Sequence, residues 1–234
     1  MSETDLNSEF DKIISETISP ILKGLGFNRK TTNFYRETEE LVQTFNILKS
    51  PWNNKKDISF TGNIGFIEPE TYKKLYETEE LPKFPKCTDS LIQIRLGLLT
   101  HGTDHWYRLS SNTDFLDLRN QLGIDLLKLG QLFENKRTVI SLEEFFYDRS
   151  KVNPYWGEMA QYAYNKKIGK DKLARQLLEK AYENANIPQS WLTEKQQVNG
   201  IWIEKRSKLT INTSRINRIE RISEIYNEKI KNAT

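Results

Sequence analysis

His101 and His105 are the only two histidines in the chain, and they bracket Asp104 in the segment His101-Gly102-Thr103-Asp104-His105. Two imidazoles and a carboxylate make up the donor set of a zinc or transition-metal site. A further sulfur ligand would have to come from Cys87, the single cysteine. A short turn carrying two histidines accounts for the same residues without any ion, so no metal and no cofactor is expected. Cys87 beside one of these histidines would form a nucleophile and base couple, but it stands in a Pro- and Lys-flanked loop, directly after Pro85 and Lys86, and no spacing pairs them. The acidic pairs Glu39-Glu40, Glu79-Glu80 and Glu143-Glu144 read as turns and helix starts, where the helix dipole favours acids. A metal-dependent nuclease would gather such acids at strand ends, and this spacing does not do so. Gly24-Leu25-Gly26 ahead of Asn28-Arg29-Lys30 follows a helix and precedes a strand, the reverse of the order in a phosphate loop. Two glycines that end a helix explain it.

A different group of residues points to binding. In two alternating segments, Thr61 and Asn63 and then Gln93 and Arg95 fall opposite strongly apolar positions, so they line up on the second face of a sheet. Gln43 and Trp106 are expected to join them. The result would be a polar, aromatic-edged surface suited to a ligand or partner, or simply the wet face of an antiparallel sheet. Near the C-terminus, Arg215, Arg218 and Arg221 recur every third residue beside an apolar stripe of Ile216, Ile219, Ile222, Tyr226 and Ile230. Such arginines can contact phosphates or lay their stems along a docked helix.

The elements that must position these groups follow from periodicity. Phe10, Ile13, Ile14, Ile18, Ile21, Leu22 and Leu25 mark one face of an N-terminal helix, in which Pro20 predicts a kink or break. Strands are expected at 33–36, 41–48, 57–66, 91–98 and 105–109, with a short helix near Pro69 to Leu75. Ile58, Phe60, Ile64, Ile92, Ile94 and Leu96 should point into one core under the first helix, because a slip of one residue would expose them all. From Asp114 the period becomes helical, with Phe115, Leu118, Leu122, Ile124, Leu126, Leu127 and Leu129 as the expected buried face. Residues 156–164 and 172–185 read as a helical hairpin turning at Ile168-Gly169, similar to one tetratricopeptide unit without a second copy. A last helix is expected over 214–230. The fold class is thus α+β: an antiparallel sheet of four to five strands with helices on one face over residues 1–150, then a helical region over 151–234.

The 234 residues carry a net charge of +3. The charge is uneven, with 19 Lys/Arg against 23 Asp/Glu up to residue 150 and 16 against 9 beyond it. A basic C-terminal region allows a nucleic-acid surface or an ordinary solvated helical one. Eleven Phe, ten Tyr and five Trp supply enough large apolar area for a core despite the polar average. The single thiol fits a reducing compartment, the acidic start lacks a signal-peptide pattern, and no apolar run approaches bilayer length. A cytoplasmic protein without membrane contact is expected.

Taken in order, Ile18-x-Pro20-x-Leu22-Lys23-x-Leu25-Gly26-Phe27, Phe34-Tyr35-Arg36, Phe60-Thr61-Gly62-Asn63-Ile64-Gly65, Arg95-Leu96-Gly97 and Asp104-x-Trp106 resemble the bacterial domain of unknown function 4304 family across roughly residues 8–150. The resemblance implies a bacterial cytoplasmic protein and assigns no catalytic residue.

The function expected from these readings is a non-catalytic interaction or ligand-binding module that meets another protein, by analogy an immunity or defence accessory. The alternative is nucleic-acid binding through the basic C-terminal helices, and the third reading is a hydrolase or nuclease. With only two histidines and one cysteine as nitrogen or sulfur donors, elemental analysis of purified protein should give no stoichiometric zinc or transition metal. A bound metal lost on replacing His101 or His105 would overturn that expectation.

Overall fold

Asp57–Ile67 alternates apolar residues along its length and forms the strand on which the fold is built. The computed structural model describes residues 5–147, 157–190, 192–198 and 201–230. The chain divides into two compact units, Met1–Trp156 and Gly157–Thr234.

The first unit holds a six-stranded antiparallel sheet of β1 (Asn28–Lys30), β2 (Asn33–Glu37), β3 (Val42–Lys49), β4 (Asp57–Ile67), β5 (Ile92–Arg95) and β6 (Tyr107–Ser110). The order is β1-β2-β3-β4-β5, and β6 also pairs with β4. Residues 63–66 of β4 pair with β5, and residues 57–60 pair with β6. One face of the sheet carries Phe45, Ile58, Phe60, Ile64, Phe66, Ile92, Ile94 and Tyr107, all buried. Across it lie α1 (Leu6–Lys12), a π-helical stretch Ile13–Ile18, α2 (Ser19–Gly24) and α5 (Phe115–Asn135). Phe10 meets Phe60 edge-on at 5.2 Å and Phe66 meets Phe133 at 6.0 Å. All six core residues expected from the alternation, Leu96 included, are buried.

The irregularity expected at Pro20 appears one turn earlier. Ser19 N–H bonds to Ile14 O, the wide π spacing, and Pro20, which has no N–H to give, then sits in the first turn of α2, where the missing donor costs least. The expected strand over 91–98 stops at Arg95, and Leu96–His101 is α4. A Cβ at Gly97 would run into the His105 backbone nitrogen, so this turn is packed too closely for an ordinary strand continuation. On α5 the buried stripe is Leu122, Leu126, Leu129 and Phe133 with Asp125 among them, whereas Ile124 and Leu127 are exposed. Those two lie outside the i, i+4, i+7, i+11 stripe, which corrects the expectation of a buried face that includes them.

On the second face of the sheet, α3 (Pro69–Tyr76) closes one end, where Val42, Ile67 and Tyr72 cluster with Tyr35 and Leu81. Beside this, Ser90 and Thr44 approach Gly65 so closely that a Cβ there would clash with both hydroxyls. A short helix α6 (Glu143–Tyr147) follows α5.

The second unit begins with a helical hairpin, α7 (Gly157–Lys167) and α8 (Asp171–Ala185), turning at Gly169 with φ of 75°. It continues with a two-stranded hairpin, β7 (Leu192–Val198) and β8 (Ile201–Arg206), and ends in α9 (Thr213–Ile225). The β-hairpin has no counterpart in the sequence reading. Trp156, expected to open the first helix of this region, lies outside the described residues. Tyr162 packs on Tyr226 at 5.2 Å, and Tyr182 donates to Glu220 at 3.1 Å.

Truncating Phe60 to alanine should cost about 3–5 kcal/mol in urea unfolding through the cavity it leaves. Gly65→Ala should cost about 1–3 kcal/mol by overpacking. An unchanged unfolding midpoint for either variant would contradict the packing described for β4.

Candidate functional site

The strand registers set Asn33, Asn46, Asn63 and Arg95 opposite one another on four neighbouring strands. Directly opposed residues share a face, so they form a polar row across the second face. The Asn46 amide donates to Asn33 Oδ1 at 3.0 Å, and the Asn63 amide donates to Asn46 Oδ1 at 3.4 Å. Gln93 faces the same way, opposite Gly65. Thr61 is buried beside them, and its hydroxyl donates to the His105 carbonyl at 3.2 Å. Trp106 ends the row, with its ring centroid 5.4 Å from the Arg95 guanidinium carbon. Five of the six residues expected on this face, Thr61, Asn63, Gln93, Arg95 and Trp106, therefore do share it.

Gln43 does not. It pairs opposite Phe66 on the helix-covered face and is fully buried. Its amide nitrogen donates to the carbonyls of Phe133 and Lys136, both at 2.7 Å, and its oxygen accepts from Arg36 Nε at 2.6 Å. The residue locks the end of α5 to β3. The alternation of β3 places Gln43 with Phe45 and Ile47, so the register of its own strand already carried that signal.

Arg95 differs from the other arginines of the sheet. Its side chain is 19% exposed and, unlike theirs, makes no hydrogen bond among the described residues; its Nη1, like Nη2 of Arg36, is buried without a partner. Its one ionic neighbour among the described residues is Asp104, 3.8 Å from Nε and 54% exposed. Asp104 also accepts from Trp106 Nε1 at 3.4 Å, a long contact. By contrast, Arg108 grips Asp57 with both nitrogens, Nε at 2.8 Å and Nη2 at 2.5 Å. Arg36 bonds Gln43 and Leu25 O, each at 2.6 Å, and pairs with Glu134 at 2.8 Å.

The histidines enter a second cluster, and its centre was not foreseen. His101 Nε2 lies 2.9 Å from Oδ2 of Asp125, a carboxylate that is 0% exposed. Tyr107 donates to the same oxygen at 2.7 Å and Gln121 at 3.3 Å. Lys128 Nζ stands 3.7 Å from Oδ1. An ionised carboxylate only accepts, so His101 Nε2 carries a proton and the tautomer is fixed. Burial alone would raise the Asp125 carboxyl, yet the hydrogen bonds from Tyr107, His101 and Gln121 together hold it below its ordinary 3.8. The His105 ring lies 4.2 Å from that of His101. Burial, and then the neighbouring His101, depress its basicity below the usual 6.5. An acid inside the apolar stripe of α5 was the sequence signal for this site.

Cys87 is buried, with its thiol donating to Asn63 O at 3.2 Å, and burial pushes it up to about 12. It has no nucleophilic thiolate near neutral pH. Among the described residues no group of three His, Cys, Asp or Glu side chains is placed to hold a metal ion, and no helix is long and apolar enough to cross a membrane. In the second unit, Arg215, Arg218 and Arg221 lie on α9, whose Ile219 and Ile222 are buried, and Arg221 pairs with Glu224 at 3.1 Å. An apolar groove of about 760 Å³ between α2 and α5, lined by Ile21, Leu25, Leu126 and Leu127 among others, contains none of the expected site residues.

The cluster around Asp125 gives a pH dependence of stability with a definite sign. A depressed His105 means that the unfolded chain binds its proton first, so stability is complete above 6.5 and falls as the pH drops below it. A depressed Asp125 adds a second loss below 3.8. Urea unfolding should therefore show weakening as the pH falls below 6.5 that His105→Gln removes. Asp125→Asn should cost about 2–4 kcal/mol at neutral pH by breaking a buried network. A wild-type profile that is flat through this range would refute the account of His105.

The family comparison finds the resemblance read from the motifs. The family model described as "Domain of unknown function (DUF4304)" matches residues 18–126, from the π-helical stretch to the Asp125 turn of α5. No curated protein and no solved structure matches the chain. The motif glycines have a steric meaning in this fold. A Cβ at Gly62 would lie 2.6 Å from the Phe45 ring, and Gly65 and Gly97 are similarly crowded. Over residues 18–126, then, this chain matches the model of the DUF4304 family, as its motifs lead one to expect.

Proposed function

We propose that this is a non-catalytic binding module of the bacterial cytoplasm, which recognises an anionic group of another protein on the second face of its sheet through Arg95. One observation carries the reading: a largely buried guanidinium that makes no hydrogen bond among the described residues. Guanidinium stays charged at any physiological pH, and leaving its donors unsatisfied away from water is costly. Charge-assisted bonds to an incoming anion are worth about 1.5–3 kcal/mol each. Asn63, Gln93 and Trp106 surround the charge with neutral donors and an aromatic plane, as a specific rather than purely electrostatic surface would. The inert Cys87 thiol and the structurally engaged Gln43 favour binding over chemistry. The basic α9 supports nucleic-acid binding less well, since Arg221 is already paired.

Thermal unfolding against a panel of sodium salts (acetate, citrate, phosphate, sulfate) at constant ionic strength tests this reading. A ligand that binds only the folded state raises the melting temperature with its concentration. Wild-type protein should show a saturable rise with at least one of these anions, and Arg95→Gln should lose it while Arg108→Gln keeps it. Equal shifts in wild type and Arg95→Gln would sink the proposal.

A further inference from the structure

The contacts of Asp104 narrow the ligand of this surface to one chemical class. Asp104 belongs to the segment between α4 and β6, which is tied down at both ends. His101 is bonded to buried Asp125 at one end, and the His105 carbonyl accepts from Thr61 at the other. Between these ties Gly102 takes a left-handed φ of 71°, and Asp104 points its carboxylate at Arg95 without reaching hydrogen-bonding distance. The long contact from Trp106 Nε1 is its only other hold among the described residues. Nothing in the strand geometry forces so loose a pair, since Arg108 and Asp57 close a full two-point fork on the same face.

We infer that Asp104 is an internal stand-in for a ligand carboxylate, and that the site accepts a carboxylate in exchange for it. This rests on the reading of Arg95 as the binding residue. A planar carboxylate matches the planar guanidinium fork with two parallel bonds, which Asp104 does not attain. The nearest neighbours of Arg95 in the row, Asn46, Asn63, Gln93 and Trp106, are uncharged, so at this point of the face the guanidinium is the charge that meets the ligand. One charge suits a monoanion better than a phosphate dianion, which recruits several cations. Trp106 lies against the guanidinium, so entry requires the Asp104 carboxylate and the indole ring to swing aside. The weak hold on Asp104 allows this, while the ties at His101 and His105 keep the backbone of the segment in place. The carboxylate can belong to an acidic side chain of a protein or to a small free acid.

The experiment follows the Trp106 indole N–H by two-dimensional NMR, assigned with Trp106→Phe, during titration at constant ionic strength. The probes are an acetylated tetraglutamate amide, N-acetylglutamate and inorganic phosphate. A carboxylate probe should move this signal saturably, and Asp104→Asn should bind it about tenfold more tightly, because the internal competitor has lost its charge. Arg95→Gln should abolish the shift. Arg95→Lys, which keeps the charge without the fork, should weaken binding and guards against a merely unfolded glutamine variant. Preference for the peptide would identify a protein as the source, and equal affinity for N-acetylglutamate a small acid. Asp104→Asn binding no more tightly than wild type, or neither carboxylate binding to the folded variant, overturns the inference. Arg95-dependent binding of phosphate alone overturns the carboxylate assignment but leaves Arg95 as an anion site. Binding that ignores Arg95 removes both readings.

Discussion

Strand β4 has to serve two partners along a single edge. Residues 63–66 take β5 and residues 57–60 take β6, so the chain must leave the edge opposite Asn63 and return to it opposite Phe60. Three steps along a strand span only about 10 Å, yet eleven residues, from Leu96 to Trp106, connect the two points. The excess cannot lie in the sheet. It rises as α4 and the segment after it, and Gly97 is required where that rise folds back on the His105 backbone. The polar groups described above gather at this gap because backbone and side chains around an interrupted edge must find partners outside the ladder. Thr61, at the gap itself, bonds the returning chain at His105 O.

The two sides of the gap are satisfied very differently. On the helix-covered side, Asp125 enters the core from α5 and collects donors from α4, β6 and its own helix. A buried carboxylate is tolerated only when it is bonded in this way, and the network in turn fixes how α4 stands on α5. On the other side, Arg95 emerges at the end of β5 into a row of amides that bond mainly to one another. Its charge is answered only by an exposed aspartate at 3.8 Å and an indole face. The domain thus surrounds one oxygen of Asp125 with three donors and leaves the adjacent Arg95 short of partners.

Much of this was legible in the residues. The period-two alternation of β4 and β5 identified the core, and it also gave the polar row of Thr61, Asn63, Gln93 and Arg95. The i, i+3, i+4 pattern gave the N-terminal helix, and the motif order gave the family. The misreadings have local causes. Gln43 was grouped by polarity rather than by strand parity, although Phe45 and Ile47 beside it show which face it takes. Ile124 and Leu127 were counted as core by hydrophobicity, when the stripe through Leu122, Leu126 and Leu129 excludes both. Leu96–Leu98 continues the alternation of β5 in sequence, but the crowding of Gly97 against His105 comes from eight residues further on.

The amino-acid sequence by itself determined most element types of the first unit, the parity of its strands and the composition of the polar face, because these depend on near neighbours and on the fixed periods of helix and strand. Only the tertiary structure decided which charges meet. Asp125 lies 24 residues from His101, and neither position reveals the other. Asp104 stands between the two histidines in sequence, yet it turns to Arg95 instead. That choice follows from the shared edge of β4, which brings distant residues to one gap and sets the distance at which each pair can close.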